Sequence, residues 1–134
     1  GTRPPRRNEG GGPHQVDIVI IVEGKRDKER LSSIVTDRVE ILCTFGIPGT
    51  DKLEELRRRV GDRSVYVFTD NDASGRKIRA RLCETFPDAE QLYTRKGYAG
   101  VEGTPPEYVI RQLEKAGLGD YIAVPQNTNE EWSK

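Results

Sequence analysis

Apolar and polar positions along the chain switch repeatedly between a strand-like and a helix-like spacing. Ile18 to Val22 is an unbroken run of Val and Ile, so Val16 to Val22 reads as a strand buried on both faces. From Lys25 to Asp37 the apolar residues Leu31, Ile34 and Val35 recur at helical spacing. Val39 to Phe45 reads as a second strand that stops at Gly46, and Asp51 to Val60 as a helix with Leu53, Leu56 and Val60 on one stripe. Val65 to Phe68 is a third strand. Ser74 to Phe86 is a helix with Ile78, Leu82 and Phe86 on one face, and Gln91 to Thr94 is a weaker fourth strand. Pro105 to Ala116 has Pro near its start and Gly117 just past its end, as a helix does. Tyr121 to Val124 is a candidate for a short fifth strand. The pattern shows no internal repeat.

Strands alternating with helices predict an α/β domain, a parallel sheet covered on both faces. The carboxyl ends of the first and third strands then share one rim, where ligands bind in open sheets of this kind. Both strands end abruptly in acids. The first runs into Glu23-Gly24-Lys25-Arg26-Asp27 and the third into Asp70-Asn71-Asp72-Ala73-Ser74-Gly75. Glu23, Asp70 and Asp72 would place three carboxylates around one point, the oxygen-rich arrangement a hard divalent cation such as Mg2+ requires. Without a cation, crowded carboxylates repel and one of them holds its proton to higher pH.

These two motifs resemble the Toprim domain, shared by topoisomerases, bacterial primases, old-family nucleases and recombination-repair proteins of the RecR type. Its pattern is a strand ending in E-G, often followed by x-x-D, then a strand ending in D-x-D-x-x-G. The Gly75-Arg76-Lys77 continuation is similar to primases. Gly100-Val101-Glu102, followed by Thr104-Pro105-Pro106-Glu107, is similar to the Toprim ribonuclease that matures 5S ribosomal RNA, although Gly103 stands where that enzyme has a histidine. The resemblance implies a three-layer, Rossmann-like fold with a central, mostly parallel four-stranded sheet flanked by helices. It also implies roles: Asp70 and Asp72 as ligands of Mg2+ or Mn2+, and Glu23 as a third ligand or as general acid/base. Gly24 and Gly75 would make tight strand-to-helix turns that let a phosphate backbone approach. Lys25, Arg76 and Lys77 would contact phosphates, and the helix start near Ser74 would add backbone donors. Asp72 also reads as a helix N-cap, Asp27 as a first-turn acid and Glu102 as a further site acid or a loop acid.

Composition narrows the rest. The chain has 134 residues, which suits one domain. The expected domain is 16–124, with an Arg-, Pro- and Gly-rich tail at 1–15 and a second tail at 125–134. With 33% charged residues and no apolar run near the length of a membrane helix, the chain reads as cytoplasmic. Cys43, Cys83 and a single histidine, His14 in the tail, do not make a zinc site, and the thiols are expected to be free. A formal net charge of +0 excludes coating of nucleic acid by bulk charge, so basic clusters must act locally, such as Arg76, Lys77, Arg79 and Arg81. Tyr98 and Trp132 are isolated aromatics with no assigned role.

Three functions fit. The first is metal-dependent phosphodiester chemistry on RNA or DNA, nuclease-like and of the RNA-maturation kind. The second is a non-catalytic Toprim module that binds nucleic acid or protein, as RecR-type proteins do, with oligomeric state open and a dimer included. The third is aspartyl phosphotransfer, since Asp70-Asn71-Asp72-Ala73-Ser74 is similar to D-x-D-x-[TV]. That motif belongs after a first strand, however, and here it follows the third.

Overall fold

In the computed structural model, residues 17–70, 72–94, 101 and 103–123 are described. The two tails, Tyr98, Glu102 and Trp132 lie outside them. Four strands, β1 (Ile18–Val22), β2 (Val39–Cys43), β3 (Ser64–Thr69) and β4 (Glu90–Tyr93), form one parallel sheet in the order β2-β1-β3-β4. The helices are α1 (Lys25–Ser32), α2 (Thr50–Val60), α3 (Ala73–Thr85) and α4 (Pro106–Lys115). β1 is central and buried at every position. Its residues divide by alternation, the rule for a strand covered twice. Ile18, Ile20 and Val22 join Leu31 of α1 and Val109 and Leu113 of α4 in one core layer. Val19 and Ile21 join Leu56 and Val60 of α2 and Ile78 and Leu82 of α3 in the other. The three-layer α/β architecture is therefore as the alternating pattern predicts.

The chain leaves β1 toward β2 and later leaves β3 toward β4, on the opposite side. β1 and β3 are paired neighbours, with Ile21 beside Val67. The strand order thus reverses between them, and the crevice at this switch point opens beyond Val22 and Thr69.

Three boundaries differ from the sequence reading. α1 ends at Ser32 rather than near Asp37. Ile34 and Val35 are still buried, but β-branched residues resist continuing the helix, and Val35 instead bridges to Ile122 in antiparallel fashion. For the same reason the candidate fifth strand is not part of the sheet. Gly119–Tyr121 is a 3-10 turn. The Tyr121 carbonyl accepts from the Thr36 amide at 2.8 Å, and the Ala123 amide donates to the Ile34 carbonyl at 2.7 Å, which clips this segment to the loop after α1. β2 ends at Cys43, and Phe45 takes a left-handed φ of 56°. At the other end of the domain, Gly117 (φ 85°) closes α4, with the Leu118 amide bonded to the Leu113 carbonyl at 2.9 Å and both leucines buried.

The basic segment on α3 also divides. Gly75, Ile78, Arg79 and Leu82 share the inward stripe, so Arg79 is buried while Arg76, Lys77 and Arg81 face water. The Arg79 guanidinium donates to the Thr69 hydroxyl at 2.7 Å, the Thr69 carbonyl at 3.2 Å and Gln91 Oε1 at 2.6 Å, and it packs 4.0 Å from the Tyr93 ring centroid. No carboxylate among the described residues meets it, so the charge is held by neutral dipoles and a ring. It ties α3 to the last residue of β3. Arg79→Met leaves those acceptors buried and unpaired and is expected to cost roughly 2–3 kcal/mol, measured by urea denaturation.

Candidate active site

Glu23 and Gly24 follow β1 directly, and Asp70 follows β3. The paired strands therefore deliver both acids to the same rim. The Glu23 carbonyl accepts the Phe45 amide at 2.7 Å, and the Val22 carbonyl accepts the Thr44 amide at 2.9 Å, so the β1 end is held from the β2 side. Gly24 caps α1. Its amide donates to Asp27 Oδ2 at 3.2 Å, which turns the Asp27 carboxylate back toward the loop. Cys43 Sγ reaches the Gly24 carbonyl at 3.4 Å, and burial raises its thiol pKa. Cys43 and Cys83 are free thiols, as expected.

Around Asp70 the chain is packed to its limit. Asp72 is the N-cap of α3, with Oδ1 accepting the Gly75 amide at 2.7 Å. The cap turns the chain so sharply that a Cβ on Gly75 would lie 2.1 Å from the Asp70 carbonyl oxygen and 2.8 Å from its carbon. Those are backbone atoms and cannot swing away. A glycine is thus required here by the close approach of helix to loop, and Thr69 adds a hydroxyl bond to the Gly75 carbonyl at 3.3 Å.

The four acids feel one another. Asp70, half-buried, is pushed up from 3.8 to about 6, first by burial and then by Asp72, Asp27 and Glu23. Glu23 is raised too, by burial and then by Asp27 and Asp72. Asp27, read from sequence as a first-turn acid, is therefore a member of this group. Its signal was the E-G-x-x-D spacing, which sets it one turn into α1 and under the rim.

Among the described residues no three of His, Cys, Asp and Glu are arranged to hold a metal ion by themselves. Like charges have no reason to close on a point without a cation between them. The donor chemistry nonetheless suits a hard cation. All the ligands would be carboxylate oxygens, Glu23 and Asp70 are partly desolvated while Asp72 is exposed, and like charges there repel. Mg2+ commonly takes only one or two carboxylates and completes its shell with water and phosphate. Lys25, on the first turn of α1, and Arg76 and Lys77, on the first turn of α3, are exposed beside this rim. A separate cleft of about 470 Å³, lined by residues such as Gly61, Tyr66, Phe86 and Glu90, opens at the far end of β3, away from these loops.

Two outcomes are expected. Gly75→Ala forces Asp70 off its position and costs about 1–3 kcal/mol, with a lower thermal midpoint. Asp70→Asn acts in the opposite direction and depends on pH. A raised carboxylate pKa gives stability that is complete below the unfolded value of 3.8 and is lost as pH rises through about 6. An asparagine does not ionise. Its unfolding free energy therefore gains on the wild type between pH 4 and pH 7, by on the order of 1 kcal/mol once solvent screening of a half-exposed group is allowed for, and is read as a relative rise in thermal midpoint.

Comparison with known proteins agrees with this geometry. The Toprim domain model matches residues 18–100. The chain is 36% identical over 104 residues to the Bacillus subtilis protein YusF, itself uncharacterised, covering 78% of this chain and 71% of that one. It is 34% identical over 108 residues to Ribonuclease M5 of Fusobacterium nucleatum, covering 76% of this chain and spanning 59% of the ribonuclease. A solved small TOPRIM domain protein from Bacillus stearothermophilus superposes with a TM-score of 0.73 at 33% identity, over 82% of this chain and 92% of that one. With the strand-end acids, the tight glycine turn and the sheet order all in place, the chain belongs to the Toprim domain family.

Proposed function

We propose that this Toprim domain binds a divalent cation, Mg2+ or Mn2+, at Asp70 and Asp72, with Glu23 as a third ligand or as the general acid/base, and acts on nucleic-acid phosphodiesters as a nuclease of the RNA-maturation kind. The observation that carries this reading is the pairing of β1 with β3, which brings Glu23 and Asp70 to one rim at the switch point, where burial first, and then Asp72, Asp27 and Glu23, push Asp70 up to about 6. Similarity to Ribonuclease M5 of two organisms supports RNA as the substrate.

The chain's own residues divide the work. Asp70 and Asp72 offer carboxylate oxygens from a turn locked by Gly75. The cation, when bound there, neutralises charge developing on the phosphoryl oxygens. Glu23, raised by burial and its neighbours, stands across the crevice to take a proton from the attacking water or return one to the leaving oxygen. Lys25, Arg76 and Lys77 hold the backbone phosphates, and Gly24 lets the strand pass close. Among the described residues no helix is long and apolar enough to cross a membrane, and the reading places the reaction in the cytoplasm.

A non-catalytic module for nucleic acid or protein, as a monomer or a dimer, is the second reading. It is kept because the Toprim domain, which matches here over residues 18–100, is also shared by recombination-repair proteins of the RecR type. Incubation with structured RNA separates the two. With Mg2+ the wild type is expected to cut, and Glu23→Gln and Asp70→Asn to lose about 100-fold or more of the rate while keeping their fold by circular dichroism. Equal cleavage by all three, or none by the wild type, removes the catalytic reading. In the same samples Mg2+ is expected to raise the wild-type thermal midpoint at pH 7.5. The rise shrinks at pH 5, where Asp70 is protonated, and is absent in Asp70→Asn.

A further inference from the structure

Phe45 is the most exposed large apolar side chain among the described residues, at 69%, and its backbone is held at φ 56°. A bulky residue in that region is strained, and a phenyl ring in water adds an unfavourable exposure. Both costs fall on one residue, and that residue is bonded through its amide to the carbonyl of Glu23 at 2.7 Å. Strain of this sort is retained where the surroundings enforce it, and it clusters at ligand clamps.

The ring forms one wall of a groove of about 720 Å³ between α1 and α2. The floor is apolar, with Ile41, Cys43 and Leu56, and the rim carries more basic than acidic groups, with Lys25, Lys28, Lys52 and Arg59 against Glu29 and Glu55. Lys52 Nζ lies 5.6 Å from the Phe45 ring centroid. Its partner Glu55 is only loosely engaged at 3.8 Å, and neither Lys25 nor Lys28 is in an ion pair among the described residues. A flat apolar face with ammonium groups around it matches a nucleotide, the base against the ring and the phosphates at the lysines. An acidic or purely apolar partner strand would leave either the ring or the lysines without a counterpart.

We propose that Phe45 is a stacking platform for one unpaired base of the nucleic acid, seated in this groove on the β2 side of the bond that the acidic rim addresses. The proposal rests on the nucleic-acid reading of that rim and adds to it a requirement for single-stranded character beside the reacting phosphate. It also accounts for the strained backbone, since a relaxed φ would aim the side chain of residue 45 elsewhere.

Binding of a labelled single-stranded RNA octamer, followed by fluorescence anisotropy in an Asp70→Asn background that prevents cutting, tests it. Phe45→Ala is expected to weaken binding about tenfold, the scale of losing one stacked base, and Phe45→Tyr and Phe45→Trp to stay within threefold of the parent. Octamers with one abasic position, moved along the strand, supply the second arm. At one position the parent loses as much as Phe45→Ala does, and Phe45→Ala loses nothing more. Unchanged binding by Phe45→Ala overturns the platform, as does an equal loss on every abasic octamer or a failure of tyrosine and tryptophan to restore affinity. A Phe45-dependent dimer in sedimentation at the same concentrations assigns the face to a contact between copies and also overturns it. If the parent binds no octamer at all, the nucleic-acid reading falls together with the platform; if wild type and Phe45→Ala bind and cut alike, only the platform falls.

Discussion

The parallel pairing of β1 with β3 is the constraint from which the rest of the site follows. Ile18 lies beside Ser64 and Ile21 beside Val67, so Glu23 and Asp70 must leave the sheet within a residue or two of each other. A slip of one residue would turn every buried side chain of β1 to the wrong layer, and β1 is buried on both faces. Two hydrophobic layers, one under α1 and α4 and one under α2 and α3, thus hold a register whose consequence is electrostatic. The core forces acids together that would separate if they could.

That crowding has a mechanical counterpart. Asp72 caps α3 through the Gly75 amide, the Gly75 position lies against the Asp70 backbone, and Arg79 grips Thr69 from beneath. Three unrelated contacts fix the same few residues at the end of β3. The β1 side is held more lightly, by backbone bonds from Thr44 and Phe45 and by the bond from Gly24 to Asp27. The result is one stiff carboxylate turn facing a second acid across the crevice, with a proton held on Asp70 until about pH 6. The proposed cation would relieve a repulsion already present, and an anionic phosphate could approach these acids only with such a cation between them.

The local reading failed where contacts distant in sequence compete with local pattern. Ile34 and Val35 continue the apolar spacing of α1, yet Val35 is taken by Ile122 and the helix stops at Ser32. Arg79 sits in a run of basic residues that reads as a phosphate-binding face. Helical geometry turns it inward, and only the presence of Thr69, Gln91 and Tyr93 makes its burial tolerable. Phe45 reads as the last apolar residue of a strand. The backbone bond to Glu23 and the left-handed turn after it expose the ring instead.

Alternating periods, abrupt acid stops and the glycine spacing in Glu23-Gly24 and Asp70 to Gly75 were enough, by themselves, to specify a parallel α/β sheet and to put the candidate acids on one rim. Those are properties of short segments, set by backbone sterics and by burial of one face or two. Which acids interact, which arginine is a brace rather than a phosphate contact and which aromatic stays exposed beside β2 were decided only when the sheet order brought distant segments together. Charge interaction, desolvation and hydrogen bonding depend on separation in space, and separation along the chain does not encode it.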